Sequence, residues 1–283
     1  MAIDAQKLRT SGVYEVRAPF ATLLQDLDQI GDMVQAAEDK RHKLRRYAGI
    51  AMIAGLVSAV AAGILNTNAL GFCAFLAFTA GVGLFIYSFV TGRDLHKHHD
   101  RYELLKELSK TMQVDADPKA KFAVKLALKS QPSLLREEPF PQRKNGKQKF
   151  YEEDFITIAG ELLDGTYLEE TVTELRRERS FTNPRGKSKT KTRSRYLLAV
   201  RLGYPNDVYG DARPAQQALK EQIRVPSSAT IKNVAVSEKT IAVKAMVRVE
   251  KEIPQASAMM CLGAYRILNL ARRVAGGAQG GTT

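Results

Sequence analysis

The chain has 283 residues, with 43 Lys and Arg against 30 Asp and Glu, and carries a net charge of +13. That length allows one soluble domain of ordinary size with helical extensions, and that charge asks for an acidic partner: anionic lipid headgroups, nucleic acid or an acidic protein. Two cysteines with no CxxC suggest no disulfide framework, which fits a reducing compartment.

In chain order, residues 1–19 read as an irregular N-terminal arm, and Met1–Arg17 lacks the apolar core of a signal peptide. From Phe20 onward, apolar residues recur at alternating spacings of three and four. Phe20, Leu23, Leu27, Ile30 and Val34 form a heptad seam, so residues 20–46 are expected as a cytoplasmic amphipathic or coiled-coil helix. The seam serves either an antiparallel partner within the chain or a second copy.

Residues 47–92 contain no Lys, Arg, Asp or Glu. Asn66-Thr67-Asn68 divides the run, leaving on each side roughly the 20 apolar residues that cross a bilayer as a helix. Two transmembrane helices are expected, about Ala48–Leu65 and Ala69–Thr91. Lys40, Arg41, Lys43, Arg45 and Arg46 precede the run, Arg93 and Lys97 follow it, and the turn is uncharged. Positive flanks stay in the cytoplasm, which puts both termini there, in a bacterial inner membrane or its equivalent. Gly55, Ala59 and Gly63, and Cys73, Ala77 and Gly81, are small residues spaced for close helix packing. Neither span holds an ionisable acid or base of the kind that proton relays and ion-coupled carriers use.

Residues 93–113 continue as a cytoplasmic helical extension. His96 and His99, three apart on it, are weak metal candidates, since such a cluster beside a membrane serves equally as an interfacial basic feature. Residues 114–150 read as a linker with a short helix carrying Phe122, Val124, Leu126 and Leu128, followed by a basic loop. Residues 151–275 form the soluble domain, with five strands: Phe155–Leu162, Thr166 to about Phe181, a return strand ending at Tyr204, Thr230–Val236 and Thr240–Val249. Asp164-Gly165 and Ser237-Glu238-Lys239 mark its tight turns. A short helix over Ala215–Ile223 and a final helix over about Gln255–Val274 complete it. The final helix is expected to bury Met259, Leu262, Ile267, Leu270 and Val274, and 276–283 form a flexible tail. The expected fold class is thus a membrane α-helical hairpin with cytoplasmic helical extensions, plus a C-terminal α+β domain with about five mainly antiparallel strands covered by helices on one face.

The most unusual soluble stretch sets Arg185, Lys187, Lys189, Lys191, Arg193 and Arg195 at every odd position with no acid between. In a strand all six share one face, an array suited to anionic headgroups; the plainer alternative is a solvated hairpin tip. Nucleic acid is less favoured, because no aromatic residues are interleaved with the charges. All four histidines flank the apolar run, which removes a histidine base from the soluble domain, and neither GxGxxG nor a Walker lysine occurs. The chain therefore reads as a non-enzymatic, membrane-anchored interaction or scaffold protein without cofactor, self-associating through the seam. A subunit of an oligomeric channel is the alternative, and an enzyme acting on a lipid or nucleotide the third reading.

Overall fold

The computed structural model describes residues 11–65, 68–91, 99–129, 131–140, 146–182, 186–215 and 223–279. Strands are β1 (Val13–Ala18), β2 (Phe122–Ala127), β3 (Ser133–Pro139), β4 (Lys147–Glu161), β5 (Tyr167–Thr182), β6 (Ser188–Gly203), β7 (Ala229–Val236) and β8 (Thr240–Val247). Helices are α1 (Phe20–Leu65), α2 (Asn68–Thr91), α3 (His99–Gln113), the single turn α4 (Asn206–Tyr209) and α5 (Ile253–Gln279). The chain divides into two compact units: Leu27–Asp100, and a discontinuous unit joining Met1–Asp26 to Arg101–Thr283.

The first unit is the helical hairpin. α1 and α2 each contain a window long and apolar enough to cross a membrane, and only 12% and 17% of those windows is buried. Ile53, Leu56, Val57, Val60, Phe72 and Phe75 turn more than half of their surface outward, whereas a soluble core helix hides such side chains. The two helices meet at glycines. A Cβ on Gly55 would stand 2.9 Å from the Phe78 backbone nitrogen, and one on Gly81 would stand 3.0 Å from the Ala48 carbonyl oxygen. Gly63 has open space around it, so of the small residues singled out by spacing it is not used in this contact. Residues 66 and 67 of the turn lie outside the described residues.

The discontinuous unit is built on one antiparallel sheet of eight strands, in the order β1-β2-β4-β5-β6-β8-β7, with β3 pairing the other end of β4. Five strands were expected. The three additional ones are β1, within the stretch read as an irregular arm, and β2 and β3, within the stretch read as a linker with a short helix. Phe122, Val124 and Leu126 are all buried and spaced by two, the period of a strand rather than a helix. β4 begins at Lys147, so the end of the expected basic loop is already sheet.

Cross-strand register assigns the faces. Val124 stands opposite Ile158, Val172 opposite Leu198, and Val200 opposite Val243, forming one continuous apolar face. α5 lies against β6 and β8 on that side. Its buried positions are Ile253, Ala256, Met260, Ala264, Ile267, Leu268 and Ala271. Of the face expected from sequence, Ile267 is buried, whereas Leu262 is 61% exposed. The helix buries its alanines because small side chains let it approach the sheet closely. It also runs on through Gly276 and Gly277, where a flexible tail was expected.

Phe20 packs its ring on Phe122 with centroids 4.2 Å apart, and Tyr14 donates to Asp26 at 2.9 Å, so β1 and the start of α1 are tied together on the covered face. All five seam residues, Phe20, Leu23, Leu27, Ile30 and Val34, are at most 4% exposed within a single chain.

The β4–β5 connection is the tight turn its sequence announces. Gly165 has φ +78°, a region that disfavours side chains. Asp164 closes the turn by accepting from the Thr166 amide and hydroxyl at 3.1 and 2.7 Å and from the Tyr209 hydroxyl at 2.5 Å.

Candidate anion-binding face

β5 and β6 pair along their whole length, from Tyr167 opposite Gly203 to Thr182 opposite Ser188. β8 pairs β6 only from Tyr196 to Gly203. Beyond Tyr196, the sheet continues as β3, β4, β5 and β6, and its two sides differ in chemistry.

A buried ion-pair network anchors the covered side. Arg101 of α3 is 4% exposed. It donates to both carboxylate oxygens of Glu153, at 3.2 and 2.9 Å, to Glu174 at 2.9 Å and to the Ala127 carbonyl at 2.8 Å. Its guanidinium sits 4.5 Å from the centre of the Phe155 ring, which the bulge between Asp154 and Ile156 accommodates. Ser194 donates to Glu174 at 2.6 Å, bringing β6 into the network. Further along this side the cations are paired: Arg176 with Glu178, and Lys147 and Lys149 both with Glu137.

The open side is unbalanced. The register sets Leu175 opposite Arg195, Arg177 opposite Arg193, Arg179 opposite Lys191 and Phe181 opposite Lys189. Arg177 also stands opposite Phe150 of β4, which stands opposite Arg136 of β3. Six cations from two neighbouring strands therefore share this face, and β5 and β6 place no carboxylate among them. On β3 and β4 the acids of this face are Glu138, paired with Arg136 at 3.2 Å, and Glu152, opposite Leu175. Arg177 is held below the ordinary arginine value, by burial first and then by the charges of Arg179, Arg193 and Arg195. A guanidinium stays protonated even so, and the shift measures crowding.

A groove of about 430 Å³ is lined by Leu135, Arg136, Phe150, Leu175, Arg177, Arg193 and Arg195, together with Tyr151 and Arg176 from the alternate register positions. Arg136 lies 4.3 Å over the Phe150 ring, and Arg179 lies 4.7 Å over Phe140. Leu134 and Leu135 beside them are 52% and 56% exposed.

Of the six basic residues singled out in the sequence, Arg185 lies outside the described residues. Lys187 is exposed just before β6, and Lys189, Lys191, Arg193 and Arg195 are exposed on β6, on one side as alternation requires. Sequence reading missed Arg136, Arg177, Arg179, Phe150 and Leu175. Arg177 and Arg179 alternate on β5 just as the lysines do on β6, but Arg176 and Glu178 between them mask the pattern. Aromatic residues do stand among the charges, supplied by other strands. Of the metal candidates, His96 lies outside the described residues and only the backbone of His99 is described.

A second polar cluster lies beneath α5. Glu170 is wholly buried on the covered face and accepts the Ser257 hydroxyl through Oε2 at 2.7 Å, while Oε1 has no hydrogen-bond partner. Burial lifts its carboxyl to about 7, with the Ser257 bond opposing. Cys261, one turn on, has its thiol pushed up by burial and then by the charge of Glu170. Compared with known proteins, the chain matches no family, no curated protein and no solved structure.

Proposed function

We propose that this chain is a non-enzymatic, membrane-anchored interaction protein. Its apolar hairpin holds it in a bilayer, and the open basic face of its sheet meets anionic, phosphate-bearing headgroups at the membrane surface. The observation that carries the reading is the pairing of Arg177, Arg179, Lys189, Lys191, Arg193 and Arg195 on one face of two adjacent strands. Like charges placed directly opposite each other destabilise a sheet, and an anionic surface offsets that repulsion.

Edge protection is the plain alternative, since lysines on a free strand edge deter pairing with other sheets. It accounts for Lys189 and Lys191 on β6. It does not account for Arg177 and Arg179, because β5 lies between β4 and β6 and has no free edge. A nucleic-acid reading needs ring faces open for stacking bases. Phe150 and Phe140 each already have a guanidinium over the ring, and Phe140 is buried.

The test uses the full-length protein in neutral nanodiscs, floated with liposomes. Liposomes containing phosphatidylserine should carry the protein up, pure phosphatidylcholine liposomes should not, and salt should weaken the association. Replacing Lys187, Lys189 and Lys191 with Gln removes three charges worth about 1 kcal/mol each near an anionic surface, so binding should fall by at least tenfold. Equal flotation of wild type and variant with anionic liposomes would refute the reading.

A further inference from the structure

We infer that the groove between β3 and β6 is a discrete site for a phosphate monoester on a lipid headgroup, held by Arg177, Arg193 and Arg195 with the apolar part of the lipid against Leu135. The inference rests on the reading above, that this face meets anionic lipid, and adds to it a chemical selectivity.

Three features separate this groove from the rest of the basic face. First, its arginines cluster. Arg177 and Arg193 are direct cross-strand neighbours, with Cβ atoms roughly 5 Å apart, and Arg195 follows two residues on along the same side of β6. Three guanidiniums at such spacing converge on a single ion, whereas the lysines beyond them form an extended row. Second, the arginines are of the type that grips a phosphate through paired N–H donors, which the ammonium of lysine does not do. No ion pair to Arg177, Arg193 or Arg195 occurs among the described residues, and all three line the groove. Arg136, by contrast, is bound to Glu138 and stacked on Phe150, where it serves as wall.

Third, the walls are apolar where a headgroup would join its tail. Phe150 and Leu175 floor the groove, and Leu135, 56% exposed, stands at its side. A free phosphate ion gains nothing from such a margin, while a lipid buries it. Charge then sets the preference. A phosphate monoester carries between one and a half and two negative charges near neutral pH, a diester only one. The dianion answers the mutual repulsion of three cations better.

The experiment compares full-length protein in neutral nanodiscs on two sets of vesicles matched for surface potential. One contains phosphatidic acid, a monoester, and the other phosphatidylserine, a diester. Wild type should bind the monoester vesicles about tenfold more tightly, the worth of one additional charge-assisted hydrogen bond. Arg177→Gln with Arg193→Gln should abolish that preference, leaving equal binding to both. Lys189→Gln with Lys191→Gln should weaken both alike and keep the preference. Unchanged melting of each variant excludes misfolding as the cause. Equal wild-type binding to the two matched sets would overturn the monoester site while leaving general anionic binding intact. Failure to bind either set would overturn the broader reading as well. Displacement of monoester vesicles by inorganic phosphate, with Leu135→Ser without effect, would overturn the lipid as the source of the phosphate.

Discussion

Glu170→Gln tests the covered face of the sheet directly. Burial raises the Glu170 carboxyl from 4.5 to about 7 in the folded chain. Below pH 4.5 the folded and unfolded chains both hold the proton, and the residue adds no pH dependence. Between 4.5 and about 7 the unfolded chain releases its proton while the folded chain keeps it, so stability falls as pH rises through that window and levels off above it. One pH unit of displacement corresponds to about 1.4 kcal/mol, so the whole loss comes to about 3 kcal/mol. Glutamine cannot ionise, and its amide oxygen can still accept the Ser257 hydroxyl. The variant should therefore match wild type near pH 4 and exceed it near pH 8. For a unit of this size, that gain corresponds to roughly 6–12 °C in melting temperature. The chain has no tryptophan, so the assay is tyrosine near-ultraviolet circular dichroism in detergent, with the difference between wild type and variant cancelling every other titrating group. Parallel melting curves at both pH values would refute the reasoning, because they would mean that the folded chain holds Glu170 ionised as readily as water does.

Two further outcomes follow from packing. Arg101→Met should cost about 3–5 kcal/mol, since it leaves the buried Glu153 and the part-buried Glu174 beside each other without their cation, and Arg101→Lys should not restore the bidentate geometry; chemical denaturation of the full chain reads both. Gly55→Leu should make the hairpin markedly less resistant to heating in detergent, because the added side chain meets the Phe78 backbone, whereas Gly63→Leu, with open space around it, should leave melting nearly unchanged. Equal effects at the two glycines would mean that Gly55 is not the crossing point.

What could be read from sequence was whatever has a local period. The uncharged run, the turn at Asp164-Gly165 and the alternation from Lys187 to Arg195 all declare themselves within a few residues. The seam from Phe20 to Val34 was equally visible as a buried stripe, but a stripe does not say what covers it. β1 was lost because Val13–Ala18 is short and its partner lies far along the chain. β2 was lost because Phe122, Val124, Leu126 and Leu128 were read as the apolar content of a short helix, although their spacing of two pointed the other way. The arginine groove was the least legible feature, since Arg177 meets Arg193, Phe150 and Arg136 only through the register of four strands. Register is a property of pairing, and no single stretch encodes it.

β1 and β2 are paired across an excursion of about a hundred residues that contains both apolar helices. Closing a flexible loop of that length costs about 4 kcal/mol in chain entropy, before any constant. Until the intervening segment has formed, Val13–Ala18 has no strand to join. The exposed side of β2 is then a vacant berth that the same six residues of another chain fit equally well. Exchange of this strand between copies is the misassembly to which the architecture is open, and it requires no change in sequence. A synthetic peptide spanning Ser11–Ala18 should accordingly bind to chains lacking that segment, completing the sheet in trans. The strand farthest from the rest of its sheet in sequence is also the one most easily supplied by a neighbour.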